Sequence, residues 1–400
     1  MLDPRWLATL CLLDVWAIAS AHELLALVCT FSLLCAGAVG HWQRHVLSGV
    51  SYERALSRDR AQIGELVTLS ASFGNHKLLP ISALEIYDSL PRHVTLEGAA
   101  ERENDAGKPC LYIARAMLPF TRVTRHMHVR CERRGVHQFG PVRYQAGDFL
   151  GIARQHGGDN VQHELLVLPK IFKLELGAFA SRQLTGTRAA HHLLADPLRM
   201  LGTREYRSGD ALRTIDWRAT ARRSTLMVRE MEPSSSPALQ LILSFRIHTQ
   251  SVDRVEPDEL EFAISLAASV AAYASARGMA IGLCGNGTFQ GKPLALPPSH
   301  APEQVARVLE LLARVSSRAS RPLASLLQER ALTQQRASTW LIIADQLEPK
   351  EEALLHDAQR RGRAAVVLLT GKQRTRSTMR ALHAPYQEGW SLRDVLTLAE

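Results

Sequence analysis

Residues 204–230, which read REYRSGDALRTIDWRATARRSTLMVRE, combine seven arginines with four carboxylates. A guanidinium and a carboxylate can pair through two parallel hydrogen bonds, a demanding geometry that suits a segment fixing one domain against another. Asp210, Arg213 and Asp216 recur every three residues, so in a helical turn they would share one face. Trp217 offers a broad surface for arginine stacking. The spacing therefore favours a structural junction between two domains, with docking of a partner as a second, compatible role.

Nucleic-acid binding is a weaker interpretation of the same stretch. The chain carries a formal net charge of +9 and has a pI near 9.5, and basic proteins attract phosphate backbones. A nucleic-acid groove, however, shows bases with few acids and several stacking aromatic rings, whereas here acids alternate with arginines. No nucleic-acid partner is therefore expected, and a nucleic-acid-binding membrane protein stays as an alternative.

Other residues that could do chemistry lack the surroundings that such chemistry needs. Neither His191-His192 nor His126-x-His128 lies in a G-x-S-x-G elbow or an H-E-x-x-H motif. The glycine-rich stretch GLCGNG, residues 282–287, lacks the lysine and threonine of a phosphate loop and is interpreted as a turn. The sequence thus predicts no catalytic and no cofactor-binding residues. An enzyme of unassigned class in cell-envelope metabolism is the alternative.

The six cysteines indicate neither a zinc site nor a disulfide framework. Three of them lie in the apolar N-terminal stretch, where a thiol packs as a small hydrophobe, and no C-x-x-C pair occurs. A reducing compartment is therefore expected.

The elements that must position these residues begin with an apolar N-terminus. Residues 6–40 read WLATLCLLDVWAIASAHELLALVCTFSLLCAGAVG and would span roughly 50 Å as a helix. That length suits two short membrane helices in a tight hairpin, or one oblique helix with an interfacial lead-in. A secretory signal with the pair Ala17 and Ala19 competes, but Asp14 interrupts its apolar run and the second apolar segment would still anchor the chain. Residues 1–45 are therefore predicted to be a membrane anchor.

Basic residues around this anchor predict its orientation. Arg44, Arg54, Arg58 and Arg60 follow the apolar segment, whereas Arg5 alone precedes it. Because arginine and lysine accumulate on the cytoplasmic side of membrane segments, we expect the soluble bulk of the chain to be cytoplasmic.

Residues 46–172 are predicted to form a β-sandwich domain. Apolar and polar residues alternate in IGELVTLSASFGN, LYIARAMLPF and RHMHVRCERRG, and glycine and proline turns separate these runs. This pattern is typical of half-buried antiparallel strands. Residues 173–236 would then be the signature segment that connects this domain to the next.

Residues 237–400 show a longer period. PALQLILSF, MAIGLCG, TWLIIAD and AAVVLLTG are apolar runs suited to buried parallel strands, and helical stretches such as LEFAISLAASVAAYASARG and PKEEALLHDAQRRG lie between them. Strands and helices that alternate in this way predict a doubly wound α/β sheet.

The central stretch resembles the signature of the bacterial domain of unknown function 58 family. The residues that carry the resemblance are Arg204, Tyr206, Gly209, Asp210, Arg213, Asp216, Trp217 and Arg222. Residues 133–154, RRGVHQFGPVRYQAGDFLGIAR, resemble a turn of the same family, except that Phe149 stands where proline is usual. The resemblance implies a C-terminal domain similar to von Willebrand factor A domains. It also implies a partnership with a MoxR-type AAA+ ATPase, and with other von Willebrand factor A proteins.

A von Willebrand factor A domain that binds metal needs Asp-x-Ser-x-Ser after its first strand, because a hard divalent cation prefers carboxylate and hydroxyl oxygens. Here Ser244 replaces the aspartate, and Arg246 and His248 replace the serines. Asp345, which ends TWLIIAD, alone retains a carboxylate at such a position. The sequence therefore predicts no metal site. The function expected from all these features is that of a membrane-anchored, non-enzymatic interaction or assembly factor.

Overall fold

The computed structural model describes residues 4–97, 101–103, 107, 109–147, 154–176, 195–206, 215–233, 238–245, 257–316, 319–333, 338–371 and 381–398. The chain divides into two compact units, residues 1–168 and 169–400. The division falls four residues before the expected end of the sandwich at 172. Residues 173–236, expected as a separate connecting segment, cluster with the second unit.

The apolar N-terminus folds as a helical hairpin. Helix α1 spans Pro4–Ala19 and helix α2 spans Glu23–His45, with Ala21 in the left-handed region at φ 55° between them. Asp14, which interrupts the first apolar run, accepts a hydrogen bond of 3.1 Å from the Thr30 hydroxyl across the hairpin. Of the described helices, α2 is long and apolar enough over Glu23–Trp42 to cross a membrane.

Short strands form most of the rest of the first unit. They are β1 Val50–Leu56, β2 Arg60–Gln62, β3 Leu66–Asn75, β4 Ile81–Ser89, β5 Val94–Glu97, β6 Glu101–Glu103, β7 Pro109–Met117, β8 Arg122–Cys131, β9 Gly135–Phe139, β10 Val142–Gly147, β11 Arg154–Asp159 and β12 His163–Leu168. They form sheets in the orders β1-β3-β8-β5 and β11-β10-β4-β7-β6, with a smaller sheet β2-β12-β9. All these described strands pair antiparallel except β2 with β12.

Alternating burial explains the sandwich-like arrangement. Along β3, Val67, Leu69, Ala71 and Phe73 are buried, while Thr68, Ser70 and Ser72 between them are partly exposed. Burial alternates in the same way along β4, where Leu84 and Ile86 are buried. Side chains of a strand point to opposite faces in turn, so each sheet has one apolar face. The strands predicted from IGELVTLSASFGN, LYIARAMLPF and RHMHVRCERRG are confirmed as β3, β7 and β8.

The second unit is an α/β domain. Its strands are β13 Lys173–Leu176, β14 Ala195–Glu205, β15 Met227–Pro233, β16 Ala238–Leu243, β17 Ala280–Phe289, β18 Lys292–Ser299, β19 Ser338–Ala344, β20 Ala365–Leu369, β21 Ala381–His383 and β22 Val395–Leu398. Its helices are α3 Trp217–Arg223, α4 Pro257–Ala276, α5 Gln304–Arg314, α6 Leu323–Thr333 and α7 Pro349–Arg360.

Among the described residues, the main sheet has the strand order β18-β17-β16-β19-β20-β21. All neighbours run parallel except the edge pair β17 and β18. Helices α4 and α5 pack together, and α6 packs with α7. Ile242, Trp340 and Val367 belong to one apolar cluster with residues of α6 and α7. The predicted strands and helices of an α/β sheet are confirmed.

The glycine-rich stretch 282–287 is not a turn, which corrects the sequence interpretation. It lies inside β17, and its residues are buried. Its glycines have a packing reason, because a Cβ at Gly282 would lie 2.4 Å from Oε1 of Gln240. Strand β18, whose sequence KPLALPPS contains three prolines, was not predicted. Proline is tolerated there because β18 is an edge strand.

Candidate functional site

The signature segment folds as a strand pair with a short helix between the strands. Strands β14 and β15 are antiparallel, and Ile215 forms a further bridge to Val228. Ile215, Met227 and Val228 are buried. Helix α3 contains no buried residue, and Trp217, its first residue, is 68% exposed. The segment therefore has a buried strand side and an exposed helix.

Asp216 joins the helix to the strand. Its carboxylate caps α3 by accepting hydrogen bonds from the backbone N–H groups of Arg218 at 3.0 Å and Ala219 at 3.1 Å. Its other oxygen lies 3.4 Å from Nε of Arg229 on β15. The hydrogen bond from Ala219, supported by that from Arg218 and by the charge of Arg229, lowers the pKa of the Asp216 carboxyl against a smaller effect of burial. Aspartate is among the residues best suited to this capping position.

The exposed surface of the helix is basic and aromatic. Arg218, Arg222 and Arg223 are exposed together with Trp217. Leu226, just beyond the helix, is 38% exposed. The expected stacking of an arginine on Trp217 is not found in the described part of the chain. We call Trp217, Arg218, Arg222, Arg223 and Leu226 the signature surface.

The other signature residues have different surroundings. Arg204 is half-buried at the end of β14, and its guanidinium donates to the carbonyl of Glu205 at 3.1 Å. Tyr206 is half-buried, and its backbone N–H donates to the carbonyl of Leu226 at 2.8 Å. Gly209, Asp210 and Arg213 lie outside the described residues, so the proposed face of Asp210, Arg213 and Asp216 stays a prediction.

A second candidate region is the carboxyl edge of the parallel sheet. Strands β16 and β19 are adjacent. The strand that follows β16, β17, lies on one flank of this pair and the strand that follows β19, β20, lies on the other flank, and open α/β sheets bind ligands at such a reversal of strand order. Ser244 follows β16, and its N–H donates to the carbonyl of Ile343 at 3.0 Å. Asp345 follows β19, and its carboxylate accepts from the N–H of Gln346 at 2.8 Å. Arg246 and His248 lie outside the described residues.

An aromatic ring occupies this edge. Phe245 is 1% exposed. The Asn286 amide holds the Phe245 backbone on both sides, because its oxygen accepts from the Phe245 N–H at 2.6 Å and its nitrogen donates to the Phe245 carbonyl at 2.7 Å. A Cβ at Gly287 would lie 2.8 Å from the Phe245 ring. The edge beside Ser244 is therefore held by packing and by an amide whose oxygen and nitrogen both bond the Phe245 backbone.

The described residues contain no group of three or more histidine, cysteine or acidic side chains that could hold a metal ion. Near Asp345, burial raises the pKa of the Glu351 carboxyl, and the charges of Glu348 and Asp345 raise it further. Glu351 accepts a hydrogen bond from the Glu348 N–H at 2.9 Å and so closes the capping box of α7. Glu348 and Glu351 therefore stabilise the start of α7.

A buried ion pair in the first unit was missed by sequence reasoning. The side chains of Arg54 on β1 and Asp88 on β4 are both 0% exposed, and Nη1 of Arg54 lies 2.5 Å from Oδ1 of Asp88. Tyr52 donates to the other carboxylate oxygen at 2.6 Å. Nη2 of Arg54 donates to the carbonyls of Phe139 at 2.9 Å and Val161 at 2.7 Å. The pair links strands of two different sheets.

Because Arg54 is buried, it does not add to the positive charge exposed near the predicted anchor. Arg54 was counted with the basic residues that flank the apolar segment, but in the folded chain its charge faces Asp88 and not solvent. Arg44, Arg58 and Arg60 are exposed. The sequence holds one signal for the burial of Arg54: it lies two residues after Tyr52, and in a strand such residues share a face. Nothing in the sequence indicates that Asp88 is its partner.

Comparisons with solved structures show weak likeness in fold. A CARDB domain of the PF1109 protein of Pyrococcus furiosus is 8% identical with a TM-score of 0.21, covering 30% of this chain and 91% of that domain. A type II cohesin domain from the cellulosome of Acetivibrio cellulolyticus is 14% identical with a TM-score of 0.22, covering 29% and 94%. Because these scores are low, the sandwich-like description rests on the strand pairing itself.

Comparisons of sequence show a clearer likeness to other proteins than the comparisons with solved structures do. The chain is similar to a Bacillus subtilis (strain 168) protein described as uncharacterized protein YeaD, with 24% identity over 329 residues, 80% of this chain and 76% of YeaD. The segment from the second half of β14 to just beyond β20 also has a match that agrees with the resemblance of its signature. Residues 202–375 match the family model described as protein of unknown function DUF58.

Proposed function

We propose that this chain is a membrane-anchored, non-enzymatic interaction or assembly factor that works with a MoxR-type AAA+ ATPase at the cytoplasmic face of a bacterial inner membrane. The observation that carries the proposal is the signature surface. Tryptophan and arginine are enriched among the residues that contribute most to protein–protein binding. A tryptophan that is 68% exposed on a helix without buried residues has little role in the core of its own unit.

The second unit suits such a role. Its doubly wound sheet is the architecture that resemblance to von Willebrand factor A domains implies. The edge that would hold a metal in such a domain contains Ser244 and the buried Phe245 ring. We therefore propose a von Willebrand factor A-like domain that binds its partner through side chains and without a bridging cation.

The exposed side chains of the helical hairpin support the proposal that it is a membrane anchor. Twelve large apolar side chains of α1 and α2 are exposed: Trp6, Leu12, Leu13, Val15, Trp16, Ile18, Leu24, Leu25, Leu27, Val28, Phe31 and Leu34. An exposed apolar surface of this extent marks contact with a membrane or another protein. Since α2 is long enough to span a bilayer, we propose that lipid surrounds the hairpin.

The test is a binding measurement between the intact protein in nanodiscs and the MoxR-type ATPase of the same cells. We expect Trp217→Ala, and separately Arg222→Glu with Arg223→Glu, to weaken binding by about tenfold or more, as truncation of a central contact does. Arg307→Glu is the matched control, because Arg307 is also an exposed helical arginine of the second unit, with 60% of its side chain accessible.

The possible results distinguish an incorrect partner from an incorrect contact surface. If the ATPase does not bind the wild-type protein, the partnership is wrong. If it binds and all variants bind equally, the ATPase contacts another surface and the signature surface loses its assigned role.

The same exposed tryptophan and arginines favour one second candidate, binding of single-stranded nucleic acid. A titration with RNA and DNA at two salt concentrations tests it. Affinity that falls steeply with salt and is lost in the Arg222→Glu and Arg223→Glu variant would favour this candidate over the ATPase.

A further inference from the structure

Exposed apolar side chains gather at one end of the sandwich. Leu78 is 77% exposed, and Leu118 and Phe120 are each 69% exposed. Leu78 lies in the loop between β3 and β4, and the other two lie in the loop between β7 and β8. We call residues 76–80 and 118–121 the apical loops. A loop tip of a water-soluble domain is usually polar, so three large apolar side chains here need an explanation.

Asn75 holds the two loops side by side. Its side-chain amide donates to the carbonyls of Leu79 at 2.9 Å and Leu118 at 3.1 Å. Its backbone N–H donates to the carbonyl of Thr121 at 2.9 Å. Asn75 is 1% exposed, so the connection is internal to the fold. The apolar tips therefore form one patch.

The patch is fixed to the end of the membrane-length helix. The indole N–H of Trp42 donates to the carbonyl of Pro80 at 3.4 Å. The ammonium of Lys77 donates to the carbonyls of Val46 and, at 2.7 Å, Ser48, which follow α2. The N–H of His76 donates to the carbonyl of Gly49 at 2.9 Å. These bonds place the apical loops beside Trp42, the last residue of the apolar span Glu23–Trp42.

We propose that the apical loops insert Leu78, Leu118 and Phe120 into the interfacial region of the bilayer that α2 crosses. The inference rests on the proposed membrane anchor and adds a second contact with lipid. Tryptophan is enriched at the level of the headgroups, so a loop bonded to Trp42 lies at that depth. The occupant is lipid because the patch is bonded through Pro80 and Lys77 to the end of an apolar span whose large side chains, such as Phe31 at 65%, are exposed.

Charge and backbone geometry agree with this placement. Arg44 is exposed two residues beyond Trp42, where anionic headgroups attract basic side chains. Phe120 adopts φ 53°, in the left-handed region that a bulky residue rarely occupies. The consequence is a two-point attachment, through the helix and the loops, that would fix the tilt of the sandwich on the membrane.

Depth-dependent fluorescence of the full chain in nanodiscs tests the proposal. The background carries Cys11→Ser and Cys35→Ser, since these two thiols are exposed while Cys29, Cys110, Cys131 and Cys284 are buried. An environment-sensitive dye is attached to Leu78→Cys, Leu118→Cys or Phe120→Cys. Quenching is then measured with lipids brominated on their acyl chains, and circular dichroism confirms that each labelled protein is folded.

Two further sites serve as controls. Phe31→Cys reports on the anchor itself. Leu66→Cys is the matched negative control, because Leu66 is 44% exposed and lies at the opposite end of β3 from Asn75. That strand places the two ends about 30 Å apart.

We expect a blue-shifted dye and a loss of fluorescence at the three loop sites comparable to that at Phe31, with no loss at Leu66. Because there are three loop sites, failure of one variant to fold leaves the test intact. Quenching at Phe31 without quenching at the loop sites overturns the loop insertion and leaves the anchor standing. A blue shift at the loops without quenching by brominated lipid identifies a protein neighbour and also overturns it. No quenching at Phe31 overturns the anchor.

Discussion

Arg54 is the residue whose environment is most demanding. A guanidinium that is removed from water must be paired and hydrogen-bonded on all sides, because an isolated buried charge costs several kcal/mol, on the order of 5. Asp88, the carbonyls of Phe139 and Val161, and the imidazole of His163 at 3.4 Å provide these contacts. Burial, together with the charge of Asp88, raises the pKa of the Tyr52 phenol, so this hydroxyl remains a donor to the carboxylate.

The first prediction concerns this pair. Asp88→Ala should lower the free energy of unfolding of the first unit by about 3–5 kcal/mol, because it leaves the Arg54 charge buried without its partner. The matched control is Glu53→Ala on β1, next to Arg54. The ion pair of Glu53 with Arg122 is exposed, so this change should cost less than about 1 kcal/mol. Chemical denaturation of both variants, followed by circular dichroism, measures the difference.

A double variant completes this test. Arg54→Met combined with Asp88→Leu removes both charges, so it should be less destabilising than Asp88→Ala alone. Equal losses for Asp88→Ala and Glu53→Ala would show that the buried charge is satisfied without Asp88.

At the scale of elements, α3 illustrates how a short helix is held in place. Seven residues form too few internal hydrogen bonds to be stable alone. Asp216 caps the beginning, and Ser224 ends the helix in the left-handed conformation at φ 55°. The Thr220 hydroxyl donates to the Asp216 carbonyl at 2.8 Å and accepts from the N–H of Met227 at 3.0 Å. Cap and strand therefore support the exposed signature surface together.

The second prediction separates the two roles of Asp216. Asp216→Asn keeps a capping side chain and loses the charge that faces Arg229, whereas Asp216→Ala loses both. We expect the melting temperature to fall in the order wild type, Asn variant, Ala variant. Trp217→Ala should leave it nearly unchanged, because the indole is 68% exposed.

The pH dependence has a definite sign. The folded pKa of Asp216 is lowered, so its contribution to stability is present above the unfolded value of about 3.9 and is lost as pH falls through the folded pKa. The difference in melting temperature between wild type and Ala variant should therefore shrink below about pH 3.9. A difference that stays constant down to pH 2 would contradict the role of the ionised carboxylate.

At the scale of the whole molecule, the proposed membrane anchor would decide on which side of the bilayer the rest of the chain lies. Arg44, Arg58 and Arg60 are exposed on the C-terminal side of the apolar span, while Arg5 alone precedes it. The excess of arginine favours a cytoplasmic location for everything after α2. An ATPase of the cytoplasm could reach the signature surface only in this orientation.

The third prediction tests the orientation. A fluorescent protein fused after residue 400 should be active, and alkaline phosphatase at the same position should be silent, because the phosphatase matures only outside the cytoplasm. Fusions after Ser48 serve as a matched pair that reports on α2 alone. Phosphatase activity at either position would reverse the topology and remove the ATPase proposal with it.

The sequence by itself determined the elements whose pattern is local. Alternation along β3 and continuous apolar runs in β16, β19 and β20 identified strands, because burial on one or two faces is written into neighbouring residues. The C-terminal helices were recognised in the same way, and the apolar length of α2 follows from composition. Local pattern failed where burial comes from residues distant in sequence, as at Gly282 and Gly287 of β17, which make room for the Gln240 side chain and the Phe245 ring.

Only the tertiary structure decided where the charges and rings of the candidate sites lie. Arg54 became a buried residue because β4 brings Asp88 to it, 34 positions along the chain. Ile215 is buried where it pairs with Val228 of β15, whereas Trp217, two residues further along the chain, is exposed. The apical loops meet because β3 and β8 pair antiparallel. Each of these outcomes depends on pairing between distant segments, and chain connectivity alone does not specify such pairing.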